Sequence, residues 1–197
     1  MTAGLLGLAG VVLGAVLTTF LTLFKDRWMA SQIQERQAYY LAIRVVCVLD
    51  QYMESCAQVA CDDGLGEGEL GPNANTIFQV EEPQKPTYAD DIDWRSIDAD
   101  LMYRILSFPN EIDDADKAIS GEWDSGGAVC AINERQYQYA KLGLTAASIT
   151  DELRQRYAIP LRTFSEWSPV ETLKSVKQSQ ERRKANLEAT AEPLYDG

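Results

Sequence analysis

The sequence predicts an all-α fold in which an N-terminal single transmembrane helix is followed by a long amphipathic helix and an antiparallel helical bundle. Three observations carry this prediction. Residues 3–24 form an apolar stretch without a charge. The next stretch, 25–62, contains no proline or glycine, and its apolar residues recur at intervals of three and four, as in an amphipathic helix. Later segments repeat this spacing, and a helical bundle buries such stripes most simply.

The apolar stretch has the length of a membrane anchor. As a helix, residues 3–24 would span about 33 Å, against a hydrocarbon core of about 30 Å. A secretory signal has a basic segment before a shorter apolar run of about 7–15 residues. Here only Met1 and Thr2 precede the run, and neither side chain is basic. We therefore expect an uncleaved anchor with its interface flank over 1–28, with the lipid bilayer as the partner of residues 3–24.

The residues that end the apolar stretch predict its orientation. Lys25 and Arg27 follow it directly, and positive charges favour the cytoplasmic side. Trp28 would lie at the headgroup level, so Lys25, Arg27 and Trp28 are the predicted membrane-interface residues. The prediction is an N-terminus outside and a C-terminal domain in the cytoplasm, at a bacterial inner membrane. The alternative topology places the domain outside, where four cysteines could pair.

Small residues within the anchor form a candidate packing face. Gly10 and Gly14 make a GxxxG pattern, which Gly7 and Thr18 extend. Small side chains let two helices approach closely in lipid, where van der Waals packing replaces the hydrophobic effect. The pattern therefore predicts possible self-association through the transmembrane helix. The alternative is a chance occurrence in a glycine-rich apolar stretch.

The rest of the chain divides into four regions. Residues 29–61 are predicted to form one long amphipathic helix, which serves as a neck and as the first bundle helix. Residues 62–93 form an acidic loop rich in glycine and proline, in which 76–80 could be a short strand. Residues 94–178 hold the remainder of the bundle, and 179–197 form a polar C-terminal tail.

Helix-stop signals divide the bundle region further. Pro109 is expected to end one helix, and 121–127 is expected to be a turn. Gly143 lies inside the next predicted helix and costs about 1 kcal/mol relative to alanine unless another helix packs closely against it. The predicted helices of this region are 96–106, 110–120, 130–157 and one that begins near 168.

Charge excludes one class of partner. The chain has a net charge of −12 and no histidine. A nucleic-acid partner is therefore not expected, because phosphate binding needs a basic surface. Residues 61–120 hold fifteen acidic and four basic residues, which is most of the excess. We interpret this region as a solvated acidic loop, with an acidic docking surface as the alternative.

The cysteines and carboxylates predict no metal centre. Zinc clusters use closely spaced cysteine pairs, often with histidine, and neither occurs here. The cysteines are therefore expected to be reduced, buried and apolar in behaviour. A calcium loop at 62–69 fails because Leu70 stands where a glutamate ligand is needed. The four cysteines are Cys47, Cys56, Cys61 and Cys130.

One acidic group needs its own test. Glu111 and Asp114 share a helix face, and all-helical magnesium enzymes hold the ion with such pairs. They also need a second acidic pair on a facing helix, and Asp151–Glu152 is the nearest candidate. Adjacent helical residues do not point the same way, and acid in a first helical turn is explained by the helix dipole. The neighbouring acids of this group are Asp113 and Asp116.

The predicted function follows from these exclusions. We find no catalytic, cofactor-binding or metal-binding pattern, and expect no cofactor. The basic group 182–184 is interpreted as a solvated helix end, with anionic lipid as its alternative partner. The prediction is a membrane-anchored interaction or scaffolding module at the cytoplasmic face of a membrane, with an unknown protein partner. The alternative function is that of an all-α enzyme dependent on a divalent metal held by acidic residues on helices.

Overall fold

The computed structural model describes residues 2–65, 77–163 and 167–191, with side chains described for 17–65, 77–163 and 167–190. Over these residues the regular structure is entirely helical, which confirms the all-α prediction. The part of the possible strand 76–80 that is described, 77–80, is not a strand. The helices are α1 (Thr2–Ala60), α2 (Ala99–Tyr157) and α3 (Pro169–Ala191), with one 3-10 turn at Trp94–Ser96.

Helix α1 joins the predicted anchor and the predicted amphipathic helix without a break. Its 59 residues span about 88 Å at 1.5 Å per residue. The described side chains from 17 to 37 are all exposed, and the first buried one is Ala38. Residues 38–60 of α1 therefore pack in the bundle, while residues 17–37 project from it.

The predicted anchor lies mostly outside the described side chains. Of residues 3–24, side chains are described only for 17–24. Within the described part of the chain, we find no helical segment that is both long enough and apolar enough to cross a bilayer.

Helix α2 is a hairpin that turns at one glycine. Gly127 has φ 75° and ψ −173°, a backbone conformation almost restricted to glycine. The segments on either side, 99–126 and 128–157, run antiparallel, because Arg104 pairs with Glu152. The turn predicted over 121–127 is therefore too long. Residues 121–126 are helical, and only Gly127 departs from helical geometry.

Pro109 does not end a helix, contrary to the sequence-based prediction. It lies inside the first segment of α2. Proline at this position removes one backbone hydrogen bond, a cost that burial of the same helix face outweighs. Ile105, Phe108 and Ile112 on that face are at most 2% exposed. The predicted helices 96–106 and 110–120 are thus one continuous helical segment.

The four helical segments form a bundle, as predicted, but one neighbouring pair is parallel. Tyr52 of α1 packs edge-to-face on Phe108, with ring centroids 5.4 Å apart. Asp50 of α1 pairs with Arg154, and Asp62, just after α1, pairs with Arg135. Helix α1 therefore runs antiparallel to 128–157 and parallel to 99–126. A parallel pair needs a long crossover connection. The chain between α1 and α2 supplies it, and residues 77–93 of this connection are here called the crossover strap.

The crossover strap runs back along the bundle between α1 and the first segment of α2. Near one end, the backbone of Val80 lies beside Asp62. Near the other end, Asp91 pairs with Arg44 of α1 at 2.8 Å. Between them, Lys85 pairs with Asp113 of α2. The described part of the predicted acidic loop is therefore attached to the bundle along its length.

Candidate interaction surface

The end of the bundle farthest from the projecting part of α1 is organised around a buried carboxylate. Asp62 follows α1 directly, and its side chain is 2% exposed. One carboxylate oxygen accepts from the N–H of Gly64 at 3.0 Å. The other accepts from Gln79 at 2.9 Å and from Val80 at 3.0 Å. These bonds fix the start of the crossover strap to the end of α1.

Arg135 completes this cluster from helix α2. Its guanidinium, 3% exposed, donates to Asp62 Oδ2 at 2.9 Å and to the carbonyl of Val80 at 2.5 Å. It also lies over the ring of Phe78, 4.4 Å from the centroid. A buried charge needs both a partner and hydrogen bonds to offset its desolvation. Asp62 and Arg135 meet this requirement together.

Hydrogen bonding and charge keep Asp62 ionised in spite of burial. Burial alone would raise the pKa of this carboxyl. The N–H groups of Val80, Gly64 and Gln79, followed by the Arg135 guanidinium, outweigh it and hold the pKa of Asp62 below its ordinary value. The cluster is therefore an ion pair at neutral pH.

An acidic, aromatic cleft opens beside this cluster. It has a volume of about 400 Å³. Phe78 of the strap and Trp123 of α2 form an edge-to-face pair with centroids 5.6 Å apart. Burial, then the charges of Glu82 and Asp116, raise the pKa of the neighbouring Tyr139 hydroxyl. We call this site the distal cleft; its lining residues are Phe78, Glu82, Asp116, Ile119, Ser120, Trp123 and Asp124.

The distal cleft lies on a strongly acidic side of the bundle. Residues 77–126, which are the strap and the first segment of α2, contain thirteen acidic and four basic residues. Because the strap is fixed to the bundle, these charges belong to an ordered surface. Such a surface attracts cationic groups over a range set by the ionic strength.

The residues predicted at the membrane interface lie on the projecting part of α1. Lys25, Arg27 and Trp28 are exposed there, Trp28 by 63%. Of the predicted packing face, Thr18 is exposed, and its carbonyl accepts from the Thr22 hydroxyl at 2.9 Å. The other members, Gly7, Gly10 and Gly14, lie outside the described side chains.

Several of the carboxylates tested for a metal site form ion pairs, whereas Glu111 and Asp151 are exposed. Asp113 pairs with Lys85, and Asp114 pairs with Lys117 at 2.9 Å. Glu152 of the facing segment pairs with Arg104. Among the residues that the structure describes, no group of three or more metal-ligating side chains comes together.

The cysteines differ from the prediction in their exposure. All four are free thiols, and only Cys56 is buried, as expected of an apolar core residue. Cys47, Cys61 and Cys130 are exposed, so the prediction of buried thiols is wrong for these three. Cys47 and Cys130 lie on helix faces that point away from the core, and Cys61 lies just after the end of α1.

Comparison with known proteins identifies no relative. No family model, curated protein sequence or solved structure matches the chain significantly.

Sequence reasoning missed both buried ion pairs, Asp62–Arg135 and Asp50–Arg154. A signal was present, because Arg135 stands four residues before Tyr139 and so continues the strongest apolar stripe of the chain. A charged side chain that faces the core needs an oppositely charged or hydrogen-bonding partner. Which carboxylate is the partner depends on long-range contacts. Asp62 and Arg135 are separated by 73 positions in the sequence, and Asp50 and Arg154 by 104 positions.

Proposed function

We propose that this protein is a single-pass membrane-anchored helical bundle that binds a protein partner on the cytoplasmic side. The projecting part of α1 carries the proposal. Its large apolar side chains are all at least 49% exposed, and the bundle covers none of them. Contiguous apolar surface of this kind needs a partner. Within the range 3–24, the described examples are Leu17, Phe20, Leu21, Leu23 and Phe24, at 58–66% exposure.

A lipid bilayer is the partner that fits this surface. The sequence over 3–24 places no charged residue on any side of this helix, which suits lipid contact on all sides. They stop at Lys25, and Trp28 follows at the level where an amphipathic ring is favourable. From Lys25 to Ala38 the helix rises about 20 Å, so α1 would hold the bundle clear of the headgroups.

In the proposed arrangement, the basic end of α3, residues 182–184, lies away from the lipid. Gln180 of α3 bonds to Gln136 at 2.6 Å, and Lys184 contacts Glu134 at 2.8 Å. These contacts lie at the end of the bundle that holds Asp62, about 55 Å along α1 from Lys25. A contact between residues 182–184 and the anchoring membrane is therefore not part of the proposal.

The distal cleft is the proposed contact surface for the protein partner. It combines an aromatic pair with the carboxylates of Glu82, Asp116 and Asp124. Aromatic faces and carboxylates together favour a lysine or arginine side chain. We infer that the partner presents a basic segment.

The anchor is tested by alkaline extraction of membranes from cells expressing the full chain. We expect the wild type to stay in the membrane pellet. Leu13→Arg with Leu17→Arg should move most of it to the supernatant, because each arginine near the centre of a span costs about 2.5–3.5 kcal/mol. The matched control is Tyr103→Arg with Leu106→Arg, two exposed positions on the bundle, which should stay in the pellet. Wild-type protein in the supernatant would refute the anchor. Orientation is tested with a C-terminal β-lactamase fusion, and activity on the outer side of the membrane would mean that the topology is the reverse of the one proposed.

The distal cleft is tested with a fluorescent oligolysine peptide and the detergent-purified full chain. We expect saturable binding that weakens as salt rises, since the contacts are screened ion pairs. Trp123→Ala with Asp124→Asn should weaken binding at least about fivefold, which corresponds to about 1 kcal/mol. Asp151→Asn with Glu188→Gln removes two negative charges elsewhere, one more than the cleft variant, and serves as the control. Equal losses in both variants would mean that net charge, not the cleft, binds the peptide.

A further inference from the structure

An exposed stripe runs along one face of α1, beginning below the bundle and continuing beside it. Met29, Ile33 and Tyr40 are 49%, 56% and 68% exposed, and Cys47 is exposed too. Their separations are four, seven and seven residues, so Met29 occupies a d position of a heptad repeat and Ile33, Tyr40 and Cys47 occupy three successive a positions. Ile43, at the intervening d position, is half-buried. We call these five residues the α1 seam.

The bundle leaves this seam uncovered because it packs on the other side of the same helix. The buried residues Ala38, Leu41, Ala42, Val45 and Leu49 face the core at 3% exposure or less. A heptad seam that repeats every 3.5 residues fits another helix of matching repeat. We propose that the seam pairs with the seam of a second copy of this chain, in a parallel two-stranded coiled coil.

A second copy fits this face for two reasons. The proposal rests on the membrane anchor of the proposed function, because two chains anchored in one bilayer present their α1 helices side by side, parallel and in register. Second, the a and d positions from Met29 to Cys47 include a single charged residue, Arg36. Asp26, at the preceding a position, would face its own copy, so the pairing surface begins at Met29. Arg36 occupies a d position, where its long stem packs while its guanidinium reaches solvent.

The length of the seam sets how strongly it pairs. From Met29 to Cys47 it covers about 27 Å, and near Cys47 the strap already lies alongside α1, through the Arg44–Asp91 pair. Fewer than three heptads form a weak coiled coil on their own. Anchoring both chains in the same bilayer confines their α1 helices to a small volume. This raises the effective concentration at which the two seams meet. Pairing is therefore expected in membranes and weaker in dilute detergent.

Cys47 provides the test, because a positions of a parallel pair approach within disulfide range. The full chain is oxidised with copper phenanthroline in native membranes, with dioxygen as the electron acceptor for two thiols. Three variants each keep one exposed thiol: C61A/C130A, C47A/C130A and C47A/C61A. We expect at least fivefold more covalent dimer from the variant that keeps Cys47 than from the other two. Similar yields from all three would overturn the proposal.

A charge in the seam should abolish the crosslink. Ile33→Asp in the C61A/C130A background should reduce the dimer at least fivefold, whereas Tyr103→Asp, an exposed change on α2, should leave it unchanged. An unchanged yield with Ile33→Asp would also overturn the seam. The pellet after alkaline extraction is scored on the same samples. Chains in the pellet that do not crosslink refute the dimer alone; chains in the supernatant that crosslink refute the anchor alone; soluble chains that do not crosslink refute both.

Discussion

Asp62→Ala is expected to lower the free energy of unfolding by about 3–5 kcal/mol, the range for breaking a buried ion pair. The substitution leaves the Arg135 guanidinium buried without its carboxylate, and it also removes the acceptor of three backbone N–H groups. Denaturant unfolding of the purified full chain in mild detergent measures the effect. Asp114→Ala, which removes an exposed pair with Lys117, is the control and should cost less than about 1 kcal/mol.

The double variant separates the ion pair from general disruption. Arg135→Ala should also destabilise strongly, because it leaves Asp62 buried with hydrogen bonds but no counter-charge. Asp62→Ala with Arg135→Ala should cost less than the sum of the two single changes, since no uncompensated charge remains. Additive losses would contradict the assignment of Asp62 and Arg135 as one unit, and so would an Asp62→Ala loss below about 1 kcal/mol.

The same carboxylate predicts a pH dependence. The pKa of Asp62 is lower in the folded chain than its ordinary value. The stabilisation from its ionised form is therefore fully present above the unfolded pKa, near 3.9, and is lost as the pH falls through the folded pKa. The stability difference between wild type and Asp62→Asn should thus narrow below about pH 4. If this stability difference does not change with pH, the ionisation of Asp62 contributes nothing to stability, and the side chain stabilises the fold only through its shape.

Local patterns predicted the helices well where one face of each helix is buried. The stripe of Tyr139, Leu142, Ala146, Ile149 and Leu153 is buried as its spacing indicates, at 2% exposure or less. The long helix over 29–61 forms as α1 because nothing in its sequence interrupts it. In these cases the information lies within a few helical turns, so a single sequence contains it.

The failures occur where contacts between distant residues decide the outcome. Pro109 is a local stop signal, yet burial of Phe108 keeps the helix going. Gly127 reverses the chain by itself, whereas composition spread the turn over 121–127. The parallel pairing of α1 with the first segment of α2 depends on the path of the strap, which Asp62 and Arg135 hold in place. No short window of sequence contains that information.

Gly143→Leu is expected to destabilise the bundle by about 3 kcal/mol, at the upper end of the range for overpacking. A Cβ at Gly143 would lie 2.7 Å from Leu173 Cδ1 of α3 and 3.0 Å from Cys56 Cβ of α1. Three helices therefore meet at this glycine, which is the close packing that the sequence required to justify a glycine inside a helix. Gly143→Ala should lose less, because gained helix propensity of about 1 kcal/mol offsets part of the clash.

Gly121 gives the matched control for Gly143. It lies in the other segment of α2, and a Cβ there would meet nothing within 4 Å. Gly121→Ala and Gly121→Leu should therefore be neutral or stabilising by up to about 1 kcal/mol. The Cys56 Cβ belongs to a rigid helix, but the Leu173 side chain can be shortened. Gly143→Leu with Leu173→Ala should consequently be more stable than the sum of the two single losses, because one side chain fills the space the other vacates. If the two changes instead add, Leu173 of α3 does not pack on Gly143 as described.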